Sequence, residues 1–568
     1  GVKATEDALQ GAMDIVAETV MEEVKVRQSM REHIAKTGSL QTELAKDAPE
    51  ESQQVFRMYE AYEEPVHRLP PHRILAINRG EKLGCLKVTL ATDHEDNCRR
   101  IERQLHRAPS IWTKYLQLAI EDGYKRLLLP SLTREIRTAL TEKAEKHAIH
   151  LFGVNLRQLL LQAPLAGHTV MGLDPGYRNG CKMAVVDPTG RVLDYGVLQI
   201  TQSDRAREAA AARVLTSIRK NGVTLLSIGN GTASYETEQF AAALIQDNHL
   251  KDVHYLITNE AGASVYSASK LAKEELPEYD VVIRGAVSIA RRVQDPLAEL
   301  VKIDPQAIGV GQYQHDMPQK RLNETLDGVV EDCVNSVGVN LNTASKELLT
   351  YVSGVGTQLA QNIVDYRAAN GDFRTRRQLL NVPKLGPKAF EQCAGFLRIP
   401  DGDNPLDNTA VHPENYPLVE QMAADCHCSV DDLIRNKTAQ ATINLQQYAT
   451  AAHGMPTLLD IMAELDKPGR DPRKAISVMK FDDTVNSFDD LREGLVLNGI
   501  VTNITQFGVF VDIGIKENGL VHISELSDHY VSTPSDVVAL HQQLRVRIKA
   551  IDTERRRIAL TLKNVDQQ

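Results

Sequence analysis

Two phenylalanines near the carboxyl end of the chain, Phe507 and Phe510, bracket Gly508 in a sequence that is only 5% aromatic. His522 follows a second glycine-containing turn. Exposed rings can stack on nucleobases, and this is how many proteins hold single strands without reading their sequence. On composition alone, the alternative stays open that both rings belong to a hydrophobic core.

A basic stripe is predicted on a strand of the same region, because cationic and apolar residues alternate there with a period of two. The residues predicted to point inward are Val546, Ile548 and Ala550. The residues predicted to point outward are Arg545, Arg547 and Lys549. Such cations can position phosphates beside the rings, or they can merely solvate the surface.

The elements that carry these residues are short β-runs at 495–504, 509–513, 544–551 and 557–562, separated by turns rich in Gly and Asn. Runs of this length within about 70 residues predict a small closed barrel. The stretch GLVLNGIVTNITQFGVFVDIGIKENGLVHISELS and the later VRIKAIDTERRRIALTLK resemble the ribosomal S1 RNA-binding domain. The resemblance implies an OB-fold whose nucleic-acid face includes Phe507, Phe510 and His522 with neighbouring cations.

Two glycine-containing hairpins between helices precede this region, at Ser353-Gly354-Val355-Gly356 and Pro383-Lys384-Leu385-Gly386. Glycine lets a backbone approach a phosphate closely, and the following helix offers free amide groups. Residues 339–400 contain eight Lys or Arg and four Asp or Glu, a net charge of +4 in a chain of net charge −10. The stretch resembles a tandem helix-hairpin-helix module, which grips nucleic-acid backbone without reading sequence.

The residues expected to make these backbone contacts are Gly354, Gly356, Lys384, Gly386 and Lys388. The alternative is a purely structural pair of helical hairpins, which the less basic first hairpin keeps open.

From His168 onward the pattern changes to alternating strands and helices. Strands are predicted at 170–173, 181–186, 191–200, 224–228 and 253–257, and helices at 205–219, 236–244, 270–276 and 287–299. This order predicts a mixed sheet with helices on both faces. The element order and the motif GLDPGYRNGCKMAVVD resemble the RNase H-like superfamily, in its YqgF branch.

That resemblance implies phosphodiester cleavage by two divalent ions about 4 Å apart, held by converging carboxylates. Asp174 matches the first acid of the family, and Glu260 and Asp295, the latter placed in the final helix, are the candidates for the others. After the fourth strand, where related nucleases often carry a further acid, this chain has Gly229-Asn230-Gly231. An amide is a weaker cation ligand, which favours a retained scaffold without full activity over a metal-dependent nuclease.

The remaining segments are predicted from helical periodicity and composition. Residues 1–165 are predicted to be helical with a short β insertion, with PPHRILAINRGEKLGCLKVTL as a strand pair. The further predicted parts are a YqgF or RNase H-like domain at 168–300, a linker and helix at 301–335, tandem hairpins at 336–400, a helical connector at 401–487 and an S1-type barrel at 488–568. The fold class is therefore multidomain: mainly α, with an α/β domain and a C-terminal all-β OB-fold barrel.

Seven scattered cysteines argue against a disulfide framework and for a reducing cytoplasm. Cys426-His427-Cys428 lacks a second ligand pair at zinc spacing, so no metal site is predicted there. No apolar run approaches the length of a membrane span.

The ordered set of regions resembles the bacterial Tex family of transcription accessory proteins. The resemblance implies a cytoplasmic nucleic-acid-binding protein that works with the transcription machinery. We expect it to be a non-enzymatic monomer that binds single-stranded RNA or DNA without sequence specificity. No cofactor is expected, and Mg²⁺ or Mn²⁺ would be needed only if the nuclease alternative held. Because the family usually has further sequence before the matching region, the chain is expected to lack the family's N-terminal part.

Overall fold

The fold is described from a computed structural model of the chain. It describes residues 5–46, 54–105, 108–450, 453–466, 468, 471, 473, 485, 488–505, 507–513, 515, 517–531, 533–538, 542–553 and 555–566. The chain divides into two compact units, Gly1–Val154 with Val310–Thr325 and Asn155–Gly309 with Leu326–Gln568. Within the described ranges no helix is both long and apolar enough to cross a membrane.

The first unit is helical with a small sheet. Its helices are α1 (Thr5–Glu22), α2 (Val24–Thr37), α3 (Pro71–Lys82), α4 (His94–Leu105), α5 (Thr113–Gly123) and α6 (Leu129–Leu160), with a π-helical turn at Tyr124–Leu128. In the antiparallel sheet β1 (Ser39–Leu44) lies between β2 (Ala61–Pro65) and β3 (Leu86–Ala91). The helices bury Met30, Ile34 and Tyr124.

The prediction of a strand pair within residues 70–90 is wrong in its first half, which forms the helix α3. Pro71 stands in the first turn of this helix, where its fixed φ angle favours the helix and its missing N–H costs nothing. Ile74, Leu75 and Ile77 are buried by it. Only the second half is a strand, β3.

In the second unit, a five-stranded sheet forms the α/β domain, with the strand order β6-β5-β4-β7-β8. The strands are β4 (Val170–Asp174), β5 (Cys181–Val186), β6 (Val192–Leu198), β7 (Leu225–Gly229) and β8 (His254–Thr258). The first three pair antiparallel, and β4, β7 and β8 pair parallel. The carboxyl ends of the parallel strands therefore meet at one edge, and the mixed sheet is confirmed.

Helices cover both faces of this sheet, as predicted. They are α7 (Asp204–Asn221), α8 (Ser234–Asp247), α9 (Ala263–Ala268), α10 (Lys270–Glu275), α11 (Val281–Gln294) and α12 (Pro296–Leu300). Met171 and Leu173 pack in one core with α7 and α8, whereas Val170 packs in the other with α11. Gly172 lets α11 approach, because a Cβ there would overlap the carbonyl oxygen of Ala286.

The predicted final helix at 287–299 is broken at Asp295. This residue has extended backbone angles, φ −149° and ψ 98°, between α11 and α12. Its neighbour Pro296 explains the break, because proline disfavours helical angles in the residue before it.

The chain continues through α13 (Gln319–Val337) and two helix-hairpin-helix repeats. Their elements are β9 (Val339–Asn340), α14 (Lys346–Thr350), α15 (Thr357–Asn370), α16 (Pro387–Cys393) and β10 (Leu397–Arg398). The next segment contains α17 (Tyr416–Asp425), α18 (Val430–Arg435), α19 (Lys437–Ala441) and α20 (Met455–Asp466).

The last domain is a closed five-stranded barrel in the order β11-β12-β13-β15-β14, which confirms the predicted OB-fold type of architecture. Its strands are β11 (Val496–Thr505), β12 (Gly508–Asp512), β13 (Gly519–His522), β14 (Gln543–Asp552) and β15 (Arg557–Thr561). A short 3-10 helix, Ile523–Glu525, follows β13.

The alternation predicted for β14 holds for only part of the strand. Val546 and Ile548 are buried in the barrel core, as predicted. Ala550 is exposed, because the pairing with β15 shifts register between Ile548 and Ala550. Such a bulge adds one residue to one strand, so the side chains beyond it change faces.

Candidate nucleic-acid interface

The two phenylalanines of the barrel form a ring pair at the start of β12. Their ring centroids are 6.2 Å apart and their planes are nearly perpendicular, at 87°. Phe507 is 51% exposed and Phe510 is half-buried. Edge-to-face geometry holds the ring of Phe507 against Phe510 and leaves an aromatic surface open to solvent. The alternative that both rings are core residues is therefore wrong for Phe507.

His522 lies beside this ring pair. It pairs with Gly508 across β12 and β13, and it is exposed. Its Nδ1 lies 2.9 Å from the hydroxyl of Ser524 and accepts a hydrogen bond from the backbone N–H of that residue. These bonds fix the ring at the start of the 3-10 helix.

The predicted cations are only partly brought to the rings. Strand β14 pairs with β11 and β15, so two strand spacings, roughly 10 Å, separate Arg545 and Arg547 from β12. Arg547 also donates a hydrogen bond of 2.7 Å to the carbonyl of Asn564. Lys549 is nearer, since its ammonium lies 2.7 Å from Glu525 at the end of the 3-10 helix. Lys549 lowers the pKa of the Glu525 carboxyl, and this pairing neutralises part of the predicted basic stripe.

The two predicted hairpins have matching backbone geometry. Gly354 and Lys384 both have left-handed angles, with φ values of 78° and 67°. Each is followed by a buried apolar residue and then by a glycine, Gly356 or Gly386, at the start of a helix. A Cβ on either of these glycines would meet nothing within 4 Å, so their backbones face open space. A phosphate could therefore approach both hairpins.

Reciprocal contacts join the two hairpins into one module. A Cβ on Gly354 would lie 2.7 Å from the Cβ of Gln392 in α16, so glycine is needed for packing as well as for its φ angle. In return, Asn362 of α15 donates a hydrogen bond of 2.7 Å to the carbonyl of Pro383. Lys384 and Lys388, which the sequence analysis expects to contact phosphates, are exposed on the second hairpin.

A third hairpin with the same geometry lies at Cys426-His427-Cys428-Ser429, which the sequence analysis missed. His427 has a φ of 55°, at the position equivalent to Gly354 and Lys384. Ser429 caps α18 with its own side chain, and Asp431 and Asp432 occupy the first turn. Two acids at this helix start disfavour a phosphate. The charge pattern thus separates this hairpin from the other two.

The sheet edge of the α/β domain brings together Asp174 and Glu260. The charge of Asp174 raises the pKa of Glu260, second to the effect of burial, and burial also raises the pKa of Asp174. Lys182 opposes both shifts. Two glycines flank Glu260, because a Cβ at Gly229 or Gly231 would overlap its carboxylate.

Asn230 is already used within the protein, since its side-chain oxygen accepts the backbone N–H of Glu260 at 3.1 Å. The Oε2 atom of Glu260 is buried and has no hydrogen-bond partner among the described residues.

Asp295 is not part of this pair. A Cβ on Gly285 would lie 3.3 Å from Oδ2 of Asp174, so this glycine occupies the position on α11 that faces the pair. Asp295 stands ten residues further along, about 15 Å at the helical rise. Its carboxylate caps α12 through the N–H of Ala298 and accepts a 2.7 Å hydrogen bond from Arg473. The prediction that Asp295 lies within the final helix is wrong.

This donor set does not fit a two-metal centre. Such a centre needs several converging carboxylates. In the part of the chain that the structure describes, no group of three or more His, Cys, Asp or Glu side chains is placed to hold a metal ion. Asp174 and Glu260 are the residues that could contribute to a single cation site.

Three exposed tyrosines were also missed. Tyr530 is 95% exposed in the segment after the 3-10 helix of the barrel. Tyr177, 48% exposed, lies on the loop after β4, and Tyr235, 69% exposed, lies in the first turn of α8, after β7. The available signal was an aromatic residue within a polar, glycine-rich turn, as in the motif that contains Tyr177.

Five protein families match successive parts of the chain. They are the Tex central region-like family at 1–152, the Tex protein YqgF-like domain at 168–294, the helix-hairpin-helix motif at 334–398, the HHH domain at 404–473 and the S1 RNA binding domain at 490–563. The HHH match includes the third hairpin, in the segment predicted only as a helical connector.

Similar proteins extend over almost the whole chain. The uncharacterized protein YdcI of Bacillus subtilis is 45% identical over 98% of this chain and 78% of its own length. The transcriptional accessory protein Tex of Neisseria gonorrhoeae is 44% identical over 99% of this chain and 74% of its own length. The protein YhgF of Escherichia coli is 45% identical over 100% of this chain and 74% of its own length. The expectation of a missing N-terminal part is not borne out by these matches.

Proposed function

The chain belongs to the Tex family, and from this premise we propose that it binds single-stranded nucleic acid without sequence preference, as an accessory factor of transcription. The observation that carries the proposal is the exposed ring pair of Phe507 and Phe510 beside His522 on the S1-type barrel. Stacking on rings tolerates any base, because every base has an aromatic face.

The hairpin module supplies a second contact of a different kind. Open backbone at Gly356 and Gly386 and the exposed cations Lys384 and Lys388 suit phosphates rather than bases. The barrel thus supplies stacking and the module supplies backbone contacts. Neither contact reads sequence, which suits a factor that works with the transcription machinery at many sites. The protein acts in the cytoplasm as a monomer and needs no cofactor.

Replacing Phe507 and Phe510 by Ala tests the barrel. Stacking on one ring is worth about 1–3 kcal/mol, so affinity for a labelled oligo(U) should fall at least tenfold. Fluorescence anisotropy measures the affinity, and circular dichroism shows whether the fold is intact. A matched control is Tyr195→Ala, which removes a ring of similar exposure, 53%, that packs edge-to-face on Tyr279 of the α/β domain at a 5.2 Å centroid distance. Unchanged affinity of the double variant would refute the proposal.

We infer further that the RNase H-like domain is a scaffold without nuclease activity. Three observations support the inference. Helix α11 presents Gly285, which has no ligand atoms, toward Asp174. The side chain of Asn230 already accepts a hydrogen bond from Glu260, and the carboxylate of Asp295 lies away from the pair and binds Arg473. The rival function, a metal-dependent nuclease, is favoured by the paired carboxylates Asp174 and Glu260, with their raised pKa values.

Incubation with labelled single- and double-stranded substrates in Mg²⁺ or Mn²⁺ distinguishes the two functions. No cleavage is expected from the natural chain. Cleavage that disappears in Asp174→Asn and persists in Asp187→Asn, a turn residue of the same domain, would establish the nuclease instead.

A further inference from the structure

Two exposed tyrosines lie at the sheet edge where the parallel strands of the RNase H-like domain end. Tyr177 follows β4, and Tyr235 stands in the first turn of α8, after β7. They are 48% and 69% exposed. The hydroxyl of Tyr177 donates a 2.6 Å hydrogen bond to Glu236, the neighbour of Tyr235, so the two loops are tied together. Both rings are therefore held at one edge of the sheet.

Cations accompany these rings. Arg178 is exposed beside Tyr177, and Lys182 reaches the loop between them, since a Cβ on Gly176 would lie 3.2 Å from its ammonium. Rings and cations thus lie together at the carboxyl ends of parallel strands, the edge at which α/β sheets bind ligands.

Helix α8, which carries Tyr235, also contacts the barrel. Glu238 of α8 accepts a hydrogen bond from the side-chain amide of Asn518, and the hydroxyl of Tyr255 in β8 donates one of 3.3 Å to the same amide. Asn518 directly precedes β13, whose other end is His522. The barrel thus contacts the RNase H-like domain at one end of β13 and presents its ring surface at the other.

The distances are short enough for one strand to reach both surfaces. Tyr235 and Glu238 are three residues apart in α8, about 4.5 Å at the helical rise. Asn518 and His522 are four residues apart, about 13 Å at the rise of a strand. An OB-fold alone covers about 4–16 nucleotides, so a longer strand leaving the barrel extends past this contact.

We propose that Tyr177 and Tyr235 form a second stacking surface for the single strand held by the barrel, with Arg178 and Lys182 contacting its phosphates. The proposal rests on the proposed function of the barrel. It gives the RNase H-like domain a binding role in place of cleavage, carried by two exposed rings beside its incomplete carboxylate set.

The test compares two labelled oligo(U) probes on the full chain, one of about six nucleotides and one of about 20, by fluorescence anisotropy. Tyr177→Ala with Tyr235→Ala should weaken binding of the long probe about tenfold and leave the short probe unchanged. Tyr177→Phe with Tyr235→Phe keeps both rings and should bind both probes like the natural chain. Tyr235→Ala alone, at an exposed position, should show about half of the effect on a logarithmic scale.

Cross-linking provides a second measurement that needs no substitution. A long probe carrying 4-thiouridine should form adducts at Tyr177 or Tyr235 on irradiation, identified by mass spectrometry. Equal binding of the long probe by the natural chain and the double alanine variant, or adducts confined to the barrel and hairpins, would overturn the proposal. Failure of the barrel proposal is separate, because it is measured with the short probe and the Phe507→Ala, Phe510→Ala variant.

Discussion

Two carboxyl groups at the sheet edge, Asp174 and Glu260, make the stability of the RNase H-like domain depend on pH. Burial raises the pKa of Asp174 above its ordinary value of 3.8. The unfolded chain then loses this proton at lower pH than the folded chain does. Between the two pKa values the folded state binds more protons, so the free energy of unfolding falls as pH rises.

Asp174→Asn should therefore raise the stability of this domain at neutral pH and have no such effect below about pH 3.5. The variant also removes a charge that raises the pKa of Glu260. Thermal unfolding at a series of pH values measures the change. A neutral-pH melting temperature equal to or below that of the natural chain would contradict the raised pKa.

Asp187→Asn is a control, because the pKa of Asp187 is shifted in the opposite direction from that of Asp174. Hydrogen bonds from Thr189, assisted by Arg191, lower the pKa of Asp187 in its turn. Its stabilising contribution is present above its ordinary pKa and is lost as pH falls through the lowered value. This substitution should destabilise the domain at neutral pH, so the two variants should move the melting temperature in opposite directions.

At the scale of single residues, the sequence indicates which residues could bind or react better than it indicates where the fold places them. Phe507 and His522 were found because each lies beside a glycine-containing turn within a stretch that resembles the S1 RNA-binding domain. Asp295 was misplaced, although Pro296 after it signals a helix break. The pairing of Lys549 with Glu525 depends on contact between β14 and the 3-10 helix, and local sequence gives no sign of it.

At the scale of elements, the buried guanidinium of Arg376 joins the hairpin module to the following segment. Arg376 is only 1% exposed. Its guanidinium donates hydrogen bonds of 2.7 and 2.8 Å to the carbonyl oxygens of Leu397 and Val411. It also donates to the carbonyl of Thr409 and to the hydroxyl of Tyr416. One side chain thus satisfies backbone groups from both segments.

Arg376→Met should lower the local free energy of unfolding by about 3 kcal/mol, because it leaves several buried carbonyls without donors. Hydrogen exchange at the amides of Ile399 and Thr409, which are bonded in this region, measures the loss. Arg377→Met, at the exposed neighbouring position, is the matched control and should leave exchange unchanged. Equal protection in both variants would show that Arg376 is dispensable for this junction.

Elements were predictable where a local signal agreed with the tertiary environment. The mixed sheet and the two hairpins follow from periodicity and glycine placement. Residues 71–82 are predicted as strand because their short apolar run is compatible with the repeat of a strand and with that of a helix. Only the burial of Ile74 and Ile77 on one face of the helix distinguishes the two. The third hairpin escaped because Ser429, not glycine, stands at the start of its helix, where the other two hairpins have Gly356 and Gly386.

At the scale of the whole molecule, the net charge of −10 means that a polynucleotide is not attracted by a general positive field. Binding must come from local groups, and the proposal assigns them two physical kinds. Ring stacking depends little on salt, whereas contacts of lysines with phosphates release counterions and weaken steeply with salt. Salt titrations therefore separate the barrel from the hairpin module within the intact chain.

On a plot of log affinity against log salt, Lys384→Gln with Lys388→Gln should reduce the slope for duplex DNA by about 1.8, since each phosphate contact contributes about 0.9. Phe507→Ala with Phe510→Ala should shift the line for a single strand downward and leave its slope unchanged. The control is Lys270→Gln with Lys273→Gln, which removes the same two positive charges from α10 of the RNase H-like domain. An equal change of slope in this control would mean that the overall charge of the protein, rather than the hairpin, governs binding.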